Sequence, residues 1–424
     1  MRDILGTIAS RYLIAILNLV LIFINAKALG VEGVGLIGLI IASINIAMMF
    51  NGILSGNTIV YFMNRYSMKA VFAPSYVWTV VGSLIACSVM KIVGMLPEGY
   101  FLHIYLLSIL MSLVMANSRF LLGKDHIKGF NITYMLQGGM LFIVLLYLYY
   151  GERRQEVSSY IAGMYIANGI AFIISLLMLF PYFKHPTEET SKNYTLSSLL
   201  REMFAYGLWG SADNIAEALT TRLNYFLIGR FGGLSSVGLL DAGTKMSESV
   251  WHINRSVGFI EYGHVAKSND SQQHKTITLQ YLKLTFCAVT LATACILLIP
   301  EWIYTDYLFS EQFQGIRKVI AGLSVGIIAF GCNGIISQYF IGSGKIRYSA
   351  VCSFIGLAAL LIAGVILIPL YGVVGSAICS SIAFCCMLCF SLIMFCKITH
   401  TTVSELLINK KDWEFIRTAF RRRH

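Results

Sequence analysis

Gly30-Val-Glu-Gly-Val-Gly-Leu36 returns 203 residues later as Gly233-Leu-Ser-Ser-Val-Gly-Leu239, in the same G-x-x-x-V-G-L frame. Each copy sits between two apolar runs. The run ahead of the first copy starts behind Met1, Arg2 and Asp3 and reaches Leu29, with Arg11 inside it. That is too long for the apolar core of a signal peptide, and no Ala-x-Ala-type cleavage site follows it. It reads as an uncleaved first membrane span. A second echo pairs Tyr150-Gly151, before span 6, with Tyr371-Gly372, before span 12. Six is an even number of crossings, so both halves enter from the same side. The pattern predicts a parallel repeat about an axis along the membrane normal, and in such transporters the substrate path runs between the halves.

A span needs about 20 apolar residues. Runs of that length lie near 4–28, 36–62, 72–95, 101–122, 130–150, 159–183, 203–229, 236–263, 276–300, 316–341, 347–369 and 373–396. Spans 7 and 8 are the least hydrophobic. The expected fold is all-α and integral to the membrane, with about twelve spans: an N-terminal lobe over 1–190, a C-terminal lobe over 191–398 and a basic tail over 399–424. Composition agrees. Of the 424 residues, 57% are hydrophobic and 12% charged, and mean hydropathy is +0.72. A water-facing chain carries about 25% charged residues, so lipid must cover most of this one.

Lysine and arginine in the short loops set the orientation. With the N-terminus cytoplasmic, that side and the tail hold about 20 of them and the other side 7. Both ends are therefore expected in the cytoplasm of a bacterial inner membrane. The net charge of +11 largely reflects this bias, and nucleic acid is not needed to explain it. In the tail Trp413, Ile416 and Phe420 share one helical face, with Lys410, Arg417 and Arg421 away from it. That suits an interfacial helix on anionic lipid, and equally a solvated basic tail.

Ten cysteines fall almost wholly in apolar runs. Cys386 and Cys389 form a C-x-x-C, but within a span cysteine acts as a small hydrophobe. Gly33-x-Gly35-x-x-Gly38 matches a dinucleotide fingerprint without the strand it requires, and reads as helix packing. Gly344-Lys345 lacks the rest of a P-loop. No metal site, cofactor or ATP-driven engine is visible, so energy must come from an H+ or Na+ gradient, the membrane potential or the substrate gradient.

Charges inside spans point to function. Asp241, Lys245, Glu248, His252 and Arg255 recur every three or four residues, within about 80° of arc on one helix. A charge at a helix centre costs about 2.5–3.5 kcal/mol on insertion scales, so this stripe must face water, its own members or a charged ligand. An Asp241–Lys245–Glu248 ladder is the structural alternative, and it leaves Arg255 without an acid. Span 7 carries Asp213, Glu217, Thr220 and Asn224 on one face and Arg222 on the other; span 1 carries Arg11, Asn18 and Asn25 at heptad spacing. Arg11, Arg222, Lys245 and Arg255 suit phosphate oxygens. His252, Asn18 and Asn25 join them as candidate substrate contacts, although asparagines along spans 1 and 2 also serve as interhelical hydrogen bonds. Asp213, Glu217, Asp241, Glu248 and Asn224 are candidates for ion coupling or simple charge balance.

Four landmarks carry a family resemblance: Ala28–Leu36, Leu227–Gly232 followed by Val237-Gly238-Leu239, Ile335–Lys345, and Ile368–Ala377 with its P-x-Y-G-x-x-G frame. In order and placement they resemble the polysaccharide-exporter branch of the multidrug/oligosaccharidyl-lipid/polysaccharide superfamily, the Wzx-type flippases. The resemblance implies a V-shaped, MATE-like transporter of two six-helix lobes that works by alternating access. It implies an undecaprenyl-pyrophosphate-linked oligosaccharide as substrate, and a cationic central cavity that Arg11, Arg222, Lys245 and Arg255 fit best. Membrane lipids and a polysaccharide polymerase machinery are the expected partners. Two departures stand out: Asn224 where the family often has Asp, which puts ion coupling in doubt, and Val31 where its first turn has proline.

The leading expectation is a flippase for O-antigen, capsule or similar repeat units, a transporter and not an enzyme. A cation-coupled multidrug exporter of the same superfamily would predict an acid-dominated cavity. The lipid II flippase branch usually carries two more spans. A membrane glycan polymerase or ligase would need a large outside loop, and the longest ones here are short.

Overall fold

The computed structural model describes residues 2–63, 65–184, 195–251, 254, 257–258, 261 and 271–406, with most side chains from Tyr12 onward. Among these residues there is no strand. The helices are α1 (Arg2–Ser55), α2 (Asn57–Met63), α3 (Met68–Ile92), α4 (Phe101–Gly123), α5 (Ile127–Leu146), α6 (Val157–Lys184), α7 (Leu196–Glu248), α8 (Ser271–Leu298), α9 (Ile316–Gly342), α10 (Arg347–Thr399) and α11 (Val403–Leu406). A π-helical turn, Tyr147–Gly151, ends α5, and another, Ile303–Leu308, lies between α8 and α9.

Eight helices among the described residues are long and apolar enough to cross a membrane, and two of them, over 12–63 and 347–399, have the length of two spans. α7, broken at Gly233, is not among these eight. Large apolar side chains such as Val77, Val89, Ile92, Ile362, Val365 and Leu370 remain exposed on the helix surfaces, as lipid contact requires.

The repeated G-x-x-x-V-G-L frame now has a structural cause. Gly30 and Gly233, its first residues, break α1 and α7 with nearly the same backbone angles, φ 68°, ψ −177° and φ 70°, ψ −175°. This region is open essentially to glycine alone. Gly372, from the second echo, bends α10 at φ 57°, ψ −132°. Gly30→Ala and Gly233→Ala are each expected to lower stability by about 1–3 kcal/mol, readable as a fall in melting temperature of the solubilised protein. An unchanged melting temperature would show that the bends tolerate a side chain.

By packing the chain divides into two compact units, Met1–Phe226 and Leu227–His424. Apolar contact alone holds helices poorly in lipid, so interhelical hydrogen bonds and close approach matter more. In the first unit the Asn51 amide donates to Ser83 Oγ and Ser112 Oγ, both at 2.8 Å. The Asn117 amide donates to Ser175 Oγ at 2.9 Å, joining α4 to α6. In the second unit Ser391 Oγ donates to Asn333 Oδ1 at 2.7 Å, joining α9 to α10. The offset is 216 residues for both members, 117 to 333 and 175 to 391. Ser175-Leu-Leu-Met178 likewise answers Ser391-Leu-Ile-Met394. The internal repeat therefore extends to a matched asparagine–serine bond in each unit. Buried Asn51 and Asn254 stand 203 residues apart, the offset of the glycine hinges.

At the end of the described chain, Lys275 Nζ of α8 meets Glu405 Oε2 of α11 at 2.9 Å. The backbone N–H of Thr402, then Lys275, hold the Glu405 carboxyl below the usual carboxylate range. The tail residues Lys410, Trp413, Ile416, Arg417, Phe420 and Arg421 lie outside the described residues.

Candidate functional site

The first arm of α7 presents Asp213 and Glu217 half-buried and Thr220 and Asn224 buried, at the spacing that puts all four on one helical face. The Thr220 hydroxyl donates back to the Ala216 carbonyl at 2.8 Å, so its proton is used within the helix. Arg222 is half-buried. Its Nη1 donates to the Tyr225 hydroxyl at 3.1 Å, and its guanidinium carbon lies 5.6 Å from the centre of that ring. Tyr225, 2% exposed, thus orients the cation from two directions. Sequence reasoning passed over Tyr225; the available signal was its i,i+3 spacing from Arg222.

On the second arm, Lys245 Nζ meets Asp241 Oδ2 at 2.7 Å, with the aspartate side chain almost fully buried. That is the first rung of the ladder drawn from the sequence. Glu248, one turn on, is half-buried. His252 and Arg255 lie outside the described residues, and Arg11 lies on α1 where side chains are not described. Asn18 is exposed. Asn25 is buried, and its Oδ1 accepts the Tyr149 hydroxyl at 3.2 Å, an interhelical bond within the first unit. Of the predicted site residues with described side chains, the structure joins Asp241 to Lys245. All ten cysteines are free.

A second feature was not foreseen. The start of α7 is fastened to the end of α1, to α2 and the turn after it, and to α3. Tyr206 stacks on Tyr61 with ring centres 4.1 Å apart and planes 12° apart, and Arg65 covers Tyr61 at 4.2 Å. Phe204 meets Trp78 edge-on at 4.7 Å. The Tyr66 hydroxyl donates to Glu202 Oε2 at 3.0 Å, and burial followed by this carboxylate raises the Tyr66 phenol above its ordinary value. Gly207 rests directly against the Ile53 carbonyl. These contacts place residues 196–226 of α7 with the N-terminal helices. Isolated aromatics at 61, 66, 204 and 206 carry no periodic signal, and a glycine in a span announces a close approach without naming its partner.

Residues 130–318 match the family model described as polysaccharide biosynthesis protein. No curated protein matches the chain by sequence. Among solved structures, the lipid II flippase MurJ in an inward closed conformation is 15% identical, with 99% of this chain and 93% of that chain covered and a TM-score of 0.70. An inward-facing multidrug resistance MATE family transporter of the MOP superfamily is also 15% identical, with 91% and 94% covered and a TM-score of 0.67. The eukaryotic MATE transporter AtDTX14 is 12% identical, with 98% and 96% covered and a TM-score of 0.62. The chain is a multi-pass membrane protein that shares the fold of these transporters.

Proposed function

We propose that this protein moves undecaprenyl-pyrophosphate-linked oligosaccharide repeat units across a bacterial cytoplasmic membrane by alternating access, with both chain ends in the cytoplasm. One conjunction carries the reading: a polysaccharide-biosynthesis match over residues 130–318 on a chain whose whole length has a transporter fold. The pyrophosphate docks on cations drawn from Arg11, Arg222, Lys245 and Arg255. The polyprenyl tail stays in lipid while the glycan follows the head group. Asn18 and His252 supply polar contacts to the sugars, while Asn25, expected among them from the sequence, is taken up by its bond to Tyr149. Asp213, Glu217, Asp241, Glu248 and Asn224 balance these charges or bind a coupling H+ or Na+. O-antigen and capsule units are the substrate classes that fit, and a polymerising machinery on the outer face is the partner that would consume them.

Arg222 supplies the sharpest test, because its guanidinium is already oriented by Tyr225. A charge-assisted hydrogen bond contributes about 1.5–3 kcal/mol, roughly ten- to hundred-fold in rate or affinity. Folded Arg222→Ala is expected to lose transport by about that factor in proteoliposomes. Unchanged transport would remove Arg222 from the site. The MATE likeness keeps one other reading in view, cation-coupled drug export. Under it the lipid-linked saccharide would not move at all, and deletion of the gene would alter drug tolerance.

A further inference from the structure

The chain leaves its last long helix through a firmly built junction. α10 ends at Thr399, where an apolar stretch with the length of two spans also ends. His400 then takes a left-handed conformation, φ 51° and ψ 40°, and turns the backbone aside. Buried Thr401 donates its N–H to the Cys396 carbonyl at 3.1 Å. α11 begins at Val403, and Thr402 and Glu405 close its first turn as the carboxylate half of a capping box. The Thr402 N–H donates to Glu405 Oε2 at 2.8 Å, and the Thr402 hydroxyl to the same oxygen at 3.2 Å.

Lys275, near the start of α8, fixes this junction in place. Its Nζ meets Glu405 Oε2 at 2.9 Å and donates to the His400 carbonyl at 3.4 Å. The lysine side chain is 9% exposed and the glutamate 42%, so the cation is enclosed while the carboxylate reaches it from the surface. Leu406 packs against the buried cluster that includes Leu279 and Leu282 of α8 and Phe340 of α9. The start of one span, the end of another and α11 are thus held together where apolar helix gives way to polar surroundings. The sequence after Leu406 suits that setting. Lys410, Lys411, Arg417 and Arg421–Arg423 stand against Asp412 and Glu414 alone. Trp413 and Phe420 follow docked Leu406 at seven-residue steps, the spacing of a single helical face. Clustered Lys and Arg beside a span, with aromatics in register, are the marks of a segment that rests on anionic lipid. A solvated basic tail needs neither a fixed point of departure nor an apolar repeat in register with it.

We propose that residues 407–424 bind the anionic phospholipid headgroups of the adjoining leaflet, and that the Lys275–Glu405 pair is the anchor that delivers them there. Charge complementarity selects the partner: six basic residues against two acidic ones leave the fold beside a lipid surface. The anchor belongs to the second unit, and lipid binding does not depend on what the protein transports.

The test is limited chymotrypsin digestion of the full chain in two nanodiscs, one of phosphatidylcholine and one containing phosphatidylglycerol. Mass spectrometry follows cleavage after Trp413 and Phe415, with cleavage elsewhere in the chain as the internal reference. Phosphatidylglycerol is expected to slow release of the tail by about ten-fold, and high salt to remove the protection, while the reference sites stay unchanged. Equal release from the two nanodiscs at low salt, or protection that high salt leaves intact, would overturn the lipid contact. Lys410→Gln/Lys411→Gln/Arg417→Gln changes the tail alone and keeps the chymotrypsin sites. With phosphatidylglycerol this variant should be cut as fast as the wild type is in phosphatidylcholine; undiminished protection would also overturn the lipid contact. Lys275→Met/Glu405→Gln removes both charges of the anchor together and leaves the tail sequence intact. At an unchanged melting temperature it should lose most of the protection, and full protection in this variant would overturn the role of the anchor.

Discussion

Gly207→Ala is expected to destabilise the protein severely. A Cβ at this position would run into the Ile53 carbonyl oxygen, inside any tolerable contact, and the obstacle is backbone that cannot rotate aside. Overpacking usually costs about 1–3 kcal/mol, occasionally more, and a backbone clash belongs at the upper end. The start of α7 would have to lift from α1, and the Tyr61–Tyr206 stack and the Tyr66–Glu202 hydrogen bond would open with it. Thermal unfolding of the solubilised variant should show a large fall in melting temperature. Gly139→Ala and Gly169→Ala are the controls: nothing lies within 4 Å of a Cβ at either position. Alanine there should be neutral or stabilising by up to about 1 kcal/mol. If Gly207→Ala melts with the controls, the helix contact described above does not hold in solution.

Lys245→Ala should have an effect of similar size for an electrostatic reason. It strips the partner from Asp241, which is 1% exposed. Breaking a buried pair by removing one partner costs about 3–5 kcal/mol, because the remaining charge is uncompensated. Adding Asp241→Asn to the variant removes that charge, and most of the lost stability should return. A double variant as unstable as the single one would mean that the 2.7 Å pair is not what Lys245 contributes. Transport by the rescued double variant then separates the two uses of the stripe. Full activity marks Asp241–Lys245 as an internal ladder, and a folded but inactive protein marks Lys245 as a substrate contact.

The fold was legible in the sequence because lipid simplifies the physics. Backbone polar groups must be satisfied inside each span, so apolar length alone located the helices. The repeat was legible because Gly30 and Gly233 occupy backbone angles that few other residues reach, and such positions keep their residue type. The extent of the repeat was less visible. Asn117 and Ser175 match Asn333 and Ser391 at an offset of 216 residues, against 203 for the hinges, so a single frame misses them. The site was legible only in part. Charge in an apolar helix flagged Asp241 and Lys245, and their four-residue spacing left their pairing as one of two open readings. Tyr225 was missed because a tyrosine in a span usually packs, and its role depends on the neighbour it reaches. The docking of residues 196–226 against the first three helices was missed because it joins segments more than a hundred residues apart through aromatic surface, for which no local pattern exists.

The most direct measurement is transbilayer movement in proteoliposomes. The purified protein is reconstituted with an undecaprenyl-pyrophosphate oligosaccharide, and a membrane-impermeant probe reports the outer leaflet. The account predicts protein-dependent movement of the lipid-linked saccharide, reduced about ten-fold or more in folded Arg222→Ala. Well-folded protein that moves no such lipid, with several glycans and under both proton and sodium gradients, would contradict it.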